Sequence, residues 1–409
     1  MLKTATYKQV YLYLIIVYLV ALPLNAIQIG SFGSAVKILA VLPICMAFLS
    51  RNNIRVTKSL KWQFIFTLFM FLSIIWSSEP FISLSRSISY ILLFVLLLSA
   101  SMFEFNVNEL KKVKSSLVWA SRITAVLLLV LGDVVGGRLW LKGIITEDPN
   151  YICAYFAFGT IFALNKIISE KKIFAQTCGA IELFLYVCIV FLTGSRGGLI
   201  SILSAIGIYV ITFSRSGKKY IVAKIITFAF VFVIINVILD NLPQELRIRF
   251  SFDNVSDSGG SGRTDLWKNA IDMFLNANIF TKIFGYGAGT VRYNMDLLGY
   301  PNANVVHNIF LEMLVELGIV GLIIYSVAIF LFAKKAFQNE DKFAFSVIVC
   351  MIVLSLSTSI YAFKPYFNIM LYIVMLKNKS IKGEYAADRR TYSEKYIQQN
   401  GLAKIVENQ

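Results

Sequence analysis

The chain contains a single histidine, His307, at the start of an apolar segment in which polar side chains recur at helical spacing. Asn308, Glu312 and Glu316 follow it four residues apart, so they share one face of the predicted helix. An imidazole at such a boundary can act as a general base near neutral pH, or it can cap the helix and bond to backbone. Two carboxylates in an apolar helix must face the interior of a bundle or a wet cavity. We therefore treat His307 as a candidate base, and Asn308 and Glu312 as candidates for substrate binding.

A second candidate, Arg196, lies in the segment Thr-Gly-Ser-Arg-Gly-Gly at 193–198. Backbone N–H groups, a guanidinium fork and the lack of bulky side chains are typical of an anion-binding nest. The segment also opens a predicted helix, whose N-terminus favours negative charge. The alternative is an ordinary turn arginine whose side chain reaches toward water.

Further arginines fall on the same predicted side of the protein. Arg263 precedes an amphipathic helix, where a cation is unfavourable, so Asp265 or a bound phosphate should compensate it. Arg86 and Arg292 are also candidates for substrate binding, although a surface role explains them as well. We interpret Asp-Pro-Asn at 148–150 as the start of a helix.

Several kinds of site have no counterpart in the sequence. Motifs for a nucleotide-sugar site, a catalytic zinc or a serine nucleophile are missing, and the five cysteines have no zinc-ligand or CxxC spacing. The sequence therefore predicts neither a metal site nor a cofactor.

The elements that position these residues are predicted from composition. Of 409 residues, 57% are hydrophobic and 15% charged, against about 25% charged in soluble domains. These values exclude a disordered chain, a disulfide scaffold and an ordinary soluble enzyme. Apolar runs long enough to cross a bilayer recur along the chain. We place about twelve spans, near 10–29, 31–49, 62–77, 87–103, 117–132, 150–165, 177–193, 198–213, 221–239, 306–332, 343–360 and 365–376.

The positive charges predict the orientation of the spans. With these spans, 25 Lys and Arg residues lie on one side and 11 on the other, six of the 11 in one long loop that the positive-inside rule does not count reliably. Both termini are therefore predicted to be cytoplasmic. The net charge of +16 follows from this topology and indicates no nucleic-acid partner.

The predicted architecture is an all-α polytopic transmembrane bundle with one long outer loop. We assign residues 1–239 to about nine spans, 240–306 to the outer loop, 307–376 to about three spans and 377–409 to a polar cytoplasmic tail. The loop contains a flexible linker at 256–262 and then an amphipathic helix at 264–280, suited to the membrane surface or the mouth of the bundle. Its predicted apolar face comprises Trp267, Ile271, Phe274, Leu275 and Ile279.

Three segments in this order resemble the O-antigen polymerase and O-antigen ligase superfamily of bacterial membrane glycosyltransferases. They are TGSRGGLI at 193–200, GRTDLWKNAIDMF at 262–274 with FGYGAG at 284–289, and VVHNIFLEMLVELGIVGL at 305–322. The Asp-Pro-Asn at 148–150 is also similar. The motifs cover about a third of the chain, at 193–322.

The resemblance implies transfer of a glycan from undecaprenyl pyrophosphate at the outer face of the bacterial plasma (inner) membrane, without a metal ion. It assigns Arg196 and Arg263 to the pyrophosphate and His307 to the acceptor hydroxyl, as base or orienting group. Within the family, polymerases are the more numerous, so a repeat-unit polymerase is our first interpretation and a ligase the second. A lipid-linked oligosaccharide flippase or other transporter is the third. Expected partners are the lipid-linked oligosaccharide, membrane lipid, a chain-length regulator and a flippase.

Overall fold

The prediction of an all-α protein is confirmed. The computed structural model describes residues 2–27, 34–141, 148–212, 218–251, 259–301, 303–359 and 364–377. About 80% of the structure is helical, in sixteen α-helices. The predicted tail beyond residue 377 and the linker residues 256–258 lie outside the described residues. Linker residues 259–262 are helical instead, with a positive φ of 76° at Gly262.

Where the structure describes it, the first half of the chain forms nine helices and one small β-hairpin. The helices are α1 Leu2–Val20, α2 Ala35–Leu49, α3 Lys58–Leu72, α4 Pro80–Ser101, α5 Val107–Leu131, α6 Pro149–Ser169, α7 Ile173–Leu192, α8 Arg196–Thr212 and α9 Lys218–Asn241. Strands β1 Gly132–Val135 and β2 Arg138–Leu141 pair antiparallel between α5 and α6. Two 3-10 segments, Leu22–Ala26 and Ser73–Trp76, follow α1 and α3.

The described residues of the long loop and of the last part of the chain form seven more helices. They are α10 Gln244–Phe250, α11 Gly259–Asn276, α12 Ile279–Phe284, α13 Val291–Leu297, α14 Ile309–Gln338, α15 Lys342–Ser355 and α16 Lys364–Met375. Helices α6, α8 and α15 pack against one another, and α14 packs on α3, α11 and α12. We call the end of the bundle that contacts the loop helices α11–α13 the loop end.

Among the residues that the structure describes, six helices are long and apolar enough to cross a membrane. They are Lys58–Trp76, Pro80–Ser101, Val107–Leu131, Pro149–Ser169, Ile173–Leu192 and Ile309–Gln338. Five other predicted spans coincide with shorter apolar helices, at Thr6–Val20, Ala35–Leu49, Arg196–Thr212, Val231–Asn241 and Lys342–Ser355. The last predicted span coincides with the twelve residues of α16. The number of twelve spans stays a prediction.

Helix α14 is interrupted at Gly318, and the gap receives the backbone of the loop. Gly318 has a φ of 67°, and a Cβ there would lie 2.3 Å from the Ile283 carbonyl oxygen. Opposite it, Gly285 has a φ of 81°, and a Cβ there would lie 2.2 Å from the Glu316 carbonyl oxygen. Only glycine fits both the backbone conformation and the space. Two motifs far apart in sequence therefore interlock at this point.

The loop helices form a second small core that docks them onto α14. Its buried members come from α11, α13, the segment before α14 and α14 itself: Ala270, Met273, Val291, Met295, Val306 and Val315. Trp267 and Phe274 pack on this core, as predicted. Ile271 and Leu275 are exposed and do not join this core, and Ile279 lies in α12, because the predicted helix at 264–280 ends at Asn276. The buried stripe includes the small or flexible Ala270 and Met273, which the apolar pattern did not single out.

Candidate active site

Two arginines hold the turn between α7 and α8. Each donates its Nε–H to a backbone carbonyl that belongs to the other arginine or lies close to it in sequence. Arg196 Nε donates to the carbonyl of Arg249 at 2.9 Å, and Arg249 Nε donates to the carbonyl of Gly194 at 2.8 Å. Gly194 turns the chain with a φ of 61°, and the Ser195 hydroxyl accepts from Gly198 N at 3.1 Å, which caps α8. The turn is thus built as a rigid support for both guanidinium groups.

A third arginine reaches the same turn from the β-hairpin. Arg138 Nε donates to the Thr193 carbonyl at 2.8 Å, and its Nη2 lies 3.3 Å from Asn150 Oδ1. A Cβ on Gly194 would lie 3.1 Å from both the Arg138 and the Arg249 side chain. Both side chains therefore flank this glycine, and a larger residue at position 194 would push them apart.

Arg263 comes to the turn from α11. A Cβ on Gly197 would lie 3.8 Å from Arg263 Nη1. Burial lowers the pKa of Arg263, Asp148 opposes that shift, and Arg249 and Arg196 add to it. The sequence offered Asp265 as the compensating acid, but Asp265 is exposed, and Asp148 is the carboxylate that acts on the guanidinium.

Arg138, Arg196, Arg249 and Arg263 together form what we call the arginine cluster. Burial, followed by repulsion from Arg249, lowers the pKa of Arg138, and burial lowers that of Arg249. Arginine stays protonated under such conditions, so the shifts reflect first the burial of the guanidinium groups and, to a smaller extent, the crowding of positive charge at Arg138, Arg196 and Arg263. A bound anion with two or more charges would relieve this crowding, and planar forks suit phosphate oxygens.

His307 lies beside this cluster, immediately before α14. Its φ of 55° is in the left-handed region, which histidine adopts more readily than most residues. Its Nδ1 atom is buried and has no hydrogen-bond partner within the described residues. Burial and the charge of Arg263 lower the pKa of His307, with Asp148 acting in the opposite direction. The imidazole is therefore neutral at pH 7 and able to accept a proton.

The backbone around His307 is fixed on both sides. Before it, the amide of Val306 donates to Glu312 Oε1 at 3.0 Å, and the carbonyl of Val306 accepts from Trp267 Nε1 at 3.1 Å. After it, Asn308 caps α14, its Oδ1 accepting from Phe310 N at 3.0 Å. These contacts hold the strained histidine in place.

Asn308 and Glu312 were both predicted to bind substrate. In the structure, their contacts position the backbone on either side of His307. Glu312 is 2% exposed, and Ser359 Oγ donates to the same Oε1 atom that accepts from Val306. The next carboxylate on this face, Glu316, is equally buried and accepts from the amide of Gly289 at 2.7 Å. Both acids tie the loop to α14. Whether Asn308 or Glu312 also contacts substrate stays a prediction.

The other two predicted binding residues, Arg86 and Arg292, take part in none of the contacts described above for the arginine cluster. Arg86 is exposed on α4, where a Cβ on Gly289 would lie 3.1 Å from its Nε. Arg292 is exposed on α13. The structure therefore brings together Arg196, Arg263 and His307 of the predicted site, whereas substrate binding by Arg86 and Arg292 stays a prediction.

Three members of the site were not recognised in the sequence. The Gly-Gly pair at 136–137 is a hairpin signal that would have placed Arg138 beside a turn. Asp148 does start a helix, accepting from Asn150 N at 2.7 Å, but the same carboxylate also faces the arginines. For Arg249, in an ordinary amphipathic stretch, the sequence contains no signal. Within the described residues no group of three or more His, Cys, Asp or Glu is placed to bind a metal ion.

Comparisons with known proteins agree with this location. Residues 181–326, which include α8, α11 and the first half of α14, match a protein family described as O-antigen ligase. No curated protein sequence is significantly similar to the chain. Among solved structures, a chain from a study of "polymerization and crosslinking by a peptidoglycan synthase complex" is 14% identical, with a TM-score of 0.45. That match covers 78% of this chain and 96% of the other.

Proposed function

We propose that this chain, whose residues 181–326 form an O-antigen ligase family domain, transfers a glycan from a lipid diphosphate donor to a sugar hydroxyl. The observation that supports this proposal most is the junction of four arginines with one neutral histidine at the loop end. The arginines match the leaving group of such a donor, and the histidine matches the needs of the acceptor.

The arginine cluster binds the diphosphate of the donor, which we take to be undecaprenyl pyrophosphate. As the glycosidic carbon–oxygen bond breaks, negative charge develops on the leaving diphosphate. Fixed guanidinium groups stabilise that charge without having to reorganise, in a partly buried site where electrostatic interactions are strong. Because Nε of Arg138, Arg196 and Arg249 is held by backbone carbonyls, the orientation of each fork is set before substrate arrives.

His307 acts as the general base on the acceptor. The acceptor hydroxyl loses its proton to the imidazole while its oxygen bonds to the anomeric carbon of the donor sugar. The bond from that carbon to the diphosphate breaks, and the diphosphate leaves as an anion on the arginines. This single displacement inverts the anomeric centre, needs no metal ion and leaves the proton on His307 for release to water.

The first candidate reaction is polymerisation of lipid-linked repeat units into O-antigen or another surface polysaccharide. The second is ligation of the finished glycan to lipid A–core or another acceptor, which the description of the matching family favours. A deletion strain separates the two. Loss of a polymerase leaves a single repeat on the acceptor, whereas loss of a ligase leaves a bare acceptor and accumulated lipid-linked chains.

A flippase or other transporter is the remaining alternative, since transporters often have broken helices at the membrane midplane. Helix α14 is broken, but the gap at Gly318 is filled by the loop backbone and its neighbour Glu316 binds loop amides. This packing favours the interpretation that the loop is docked onto α14, and it does not favour a path for substrate through the midplane. Purified protein given radiolabelled lipid-linked repeat should form new glycosidic bonds. Movement of the lipid across the bilayer without bond formation would contradict the proposal.

A further inference from the structure

A groove along one face of α4 is lined by residues other than the arginine cluster and His307. It has a volume of about 510 Å³ and is lined by one face of the helix: Phe81, Ile82, Ser85, Arg86 and Ser89. At 1.5 Å per residue, Arg86 lies roughly 9 Å from the first residue of α4. The groove therefore opens at the depth of lipid headgroups and upper acyl chains, in the leaflet at the loop end.

One cation lines this groove, and a second reaches the serine at its edge. Arg86 is exposed in it, and Lys37 of the adjacent α2 extends Nζ to within 3.5 Å of Ser89 Oγ. Lys37 and Ser89 are both half-buried, so the ammonium group stays near the groove instead of extending into open water. The two hydroxyl side chains, Ser85 and Ser89, add hydrogen-bonding capacity on the same face.

The surroundings of the groove are apolar and exposed. Phe81 is 81% exposed and Ile88 56%, and the facing side of α2 exposes Ile38 and Val41. A ligand in this place needs a compact anionic group for the cations and hydrocarbon for the rim. A free phosphate ion satisfies only the first requirement, whereas a membrane phospholipid satisfies both.

We propose that the α2–α4 groove binds the headgroup of an anionic phospholipid from the leaflet at the loop end. The site also reaches the loop that carries the active-site scaffold. Arg86 packs against Gly289, and the amide of Gly289 donates to the buried Glu316. A lipid bound to Arg86 thus supports the Gly285–Gly289 loop from the membrane side. The inference rests on the groove alone and does not depend on the reaction.

The test is retention of lipid by the purified full-length protein. The protein is placed in nanodiscs of phosphatidylglycerol mixed with phosphatidylcholine, released into detergent, and examined by native mass spectrometry. We expect phosphatidylglycerol to be retained selectively. Arg86→Gln and Lys37→Gln should each weaken that retention about fivefold, the effect of one surface cation on an anionic lipid. Ser85→Phe, which fills the groove but keeps both charges, should weaken it as well.

Lys268→Gln serves as the matched control, because Lys268 is an exposed cation on α11, away from the groove. It should retain lipid as the unmodified protein does. Three outcomes would overturn the proposal: no preference for phosphatidylglycerol, unchanged retention in the Lys37 and Ser85 variants, or equal losses in the Lys268 control. Because the readout is bound lipid, failure here leaves the proposed glycan transfer untouched, and loss of transfer activity leaves this site untouched.

Discussion

At the scale of single residues, the site depends on arginines whose orientation is fixed by backbone carbonyls. Arg196 and Arg249 bind across one turn, at 2.9 and 2.8 Å, and each uses Nε for that contact. A lysine has one nitrogen and cannot hold the carbonyl and present a planar fork at the same time. Charge alone therefore does not reproduce the function of these side chains.

Arg196→Lys tests this point. We expect at least about a 100-fold loss in the rate of glycan transfer, comparable to removal of one donor from a site that stabilises developing charge. The measurement is glycosidic bond formation by the purified variant with labelled lipid-linked repeat. Arg247→Lys is the matched control, since Arg247 is exposed on the same helix as Arg249. Near-normal transfer by the Arg196 variant would count against a role in diphosphate binding.

The pH dependence of transfer tests the state of His307. A base must be neutral, and the pKa of His307 lies below its usual value near 6.5, so activity should fall only on the acid side of that value. Arg263 lowers this pKa and Asp148 raises it. Arg263→Gln should therefore move the acid limb of the rate profile to higher pH, and Asp148→Asn to lower pH.

Asparagine is as good a helix cap as aspartate, so the second variant keeps the start of α6. Lys268→Gln should leave the profile where it is. If both site variants shift the limb in the same direction, or neither shifts it, His307 is not the group that titrates in the reaction.

At the scale of elements, the interlock of Gly285 with Gly318 fixes the loop on α14. A glycine-rich segment such as 285–289 allows a close backbone approach, so part of this interlock could be predicted from the sequence. It did not indicate the partner, because nothing local distinguishes contact with a ligand from contact with another helix. The same limit applies to α11, where the pattern predicted an amphipathic helix but did not show that Ile271 and Leu275 stay exposed while Trp267 and Phe274 pack on the loop core.

Gly318→Ala should release this interlock. Its Cβ would lie 2.3 Å from a carbonyl oxygen, at a φ that alanine disfavours, so we expect a loss of stability of about 1–3 kcal/mol. The readouts are the midpoint of thermal unfolding in detergent and the transfer activity, and both should fall. Gly207→Ala on α8 is the control, because a Cβ there meets no atom within 4 Å. Equal behaviour of the two variants would show that the interlock has no energetic importance.

The site itself was predictable only where a residue stood out from its neighbours. The lone histidine and the glycine-flanked Arg196 did so, and the structure places them with Arg263. Arg249 comes to the turn from the helix after α9, 53 residues along the chain from Arg196. Tertiary packing determines this contact, and the spacing of residues along the sequence does not reveal it.

At the scale of the whole molecule, charge asymmetry sets the predicted orientation. The arginine cluster lies at the loop end, opposite the segments rich in lysine. A cavity of about 830 Å³ at the other end is lined by Lys114 and Asp341, which pair at 3.5 Å. If the loop end faces outward, the cluster meets donors displayed on the outer leaflet.

Epitope insertion tests this orientation. A tag at Gly299, which is exposed and has open space around it, should bind antibody on intact spheroplasts. A tag between Asn52 and Asn53 should bind only after permeabilisation. The reverse pattern would place the arginine cluster in the cytoplasm and contradict use of an outward-facing donor.

The most direct test of the central claim separates donor binding from transfer in one variant. For His307→Ala, donor affinity is measured by equilibrium binding of labelled lipid diphosphate glycan, and transfer by single-turnover kinetics with acceptor present. The account predicts a dissociation constant close to that of the unmodified protein and a loss of transfer of about 100-fold or more, the usual contribution of a positioned base. Unchanged transfer in this variant would contradict the account, as would loss of donor binding with the remaining bound fraction reacting at the normal rate.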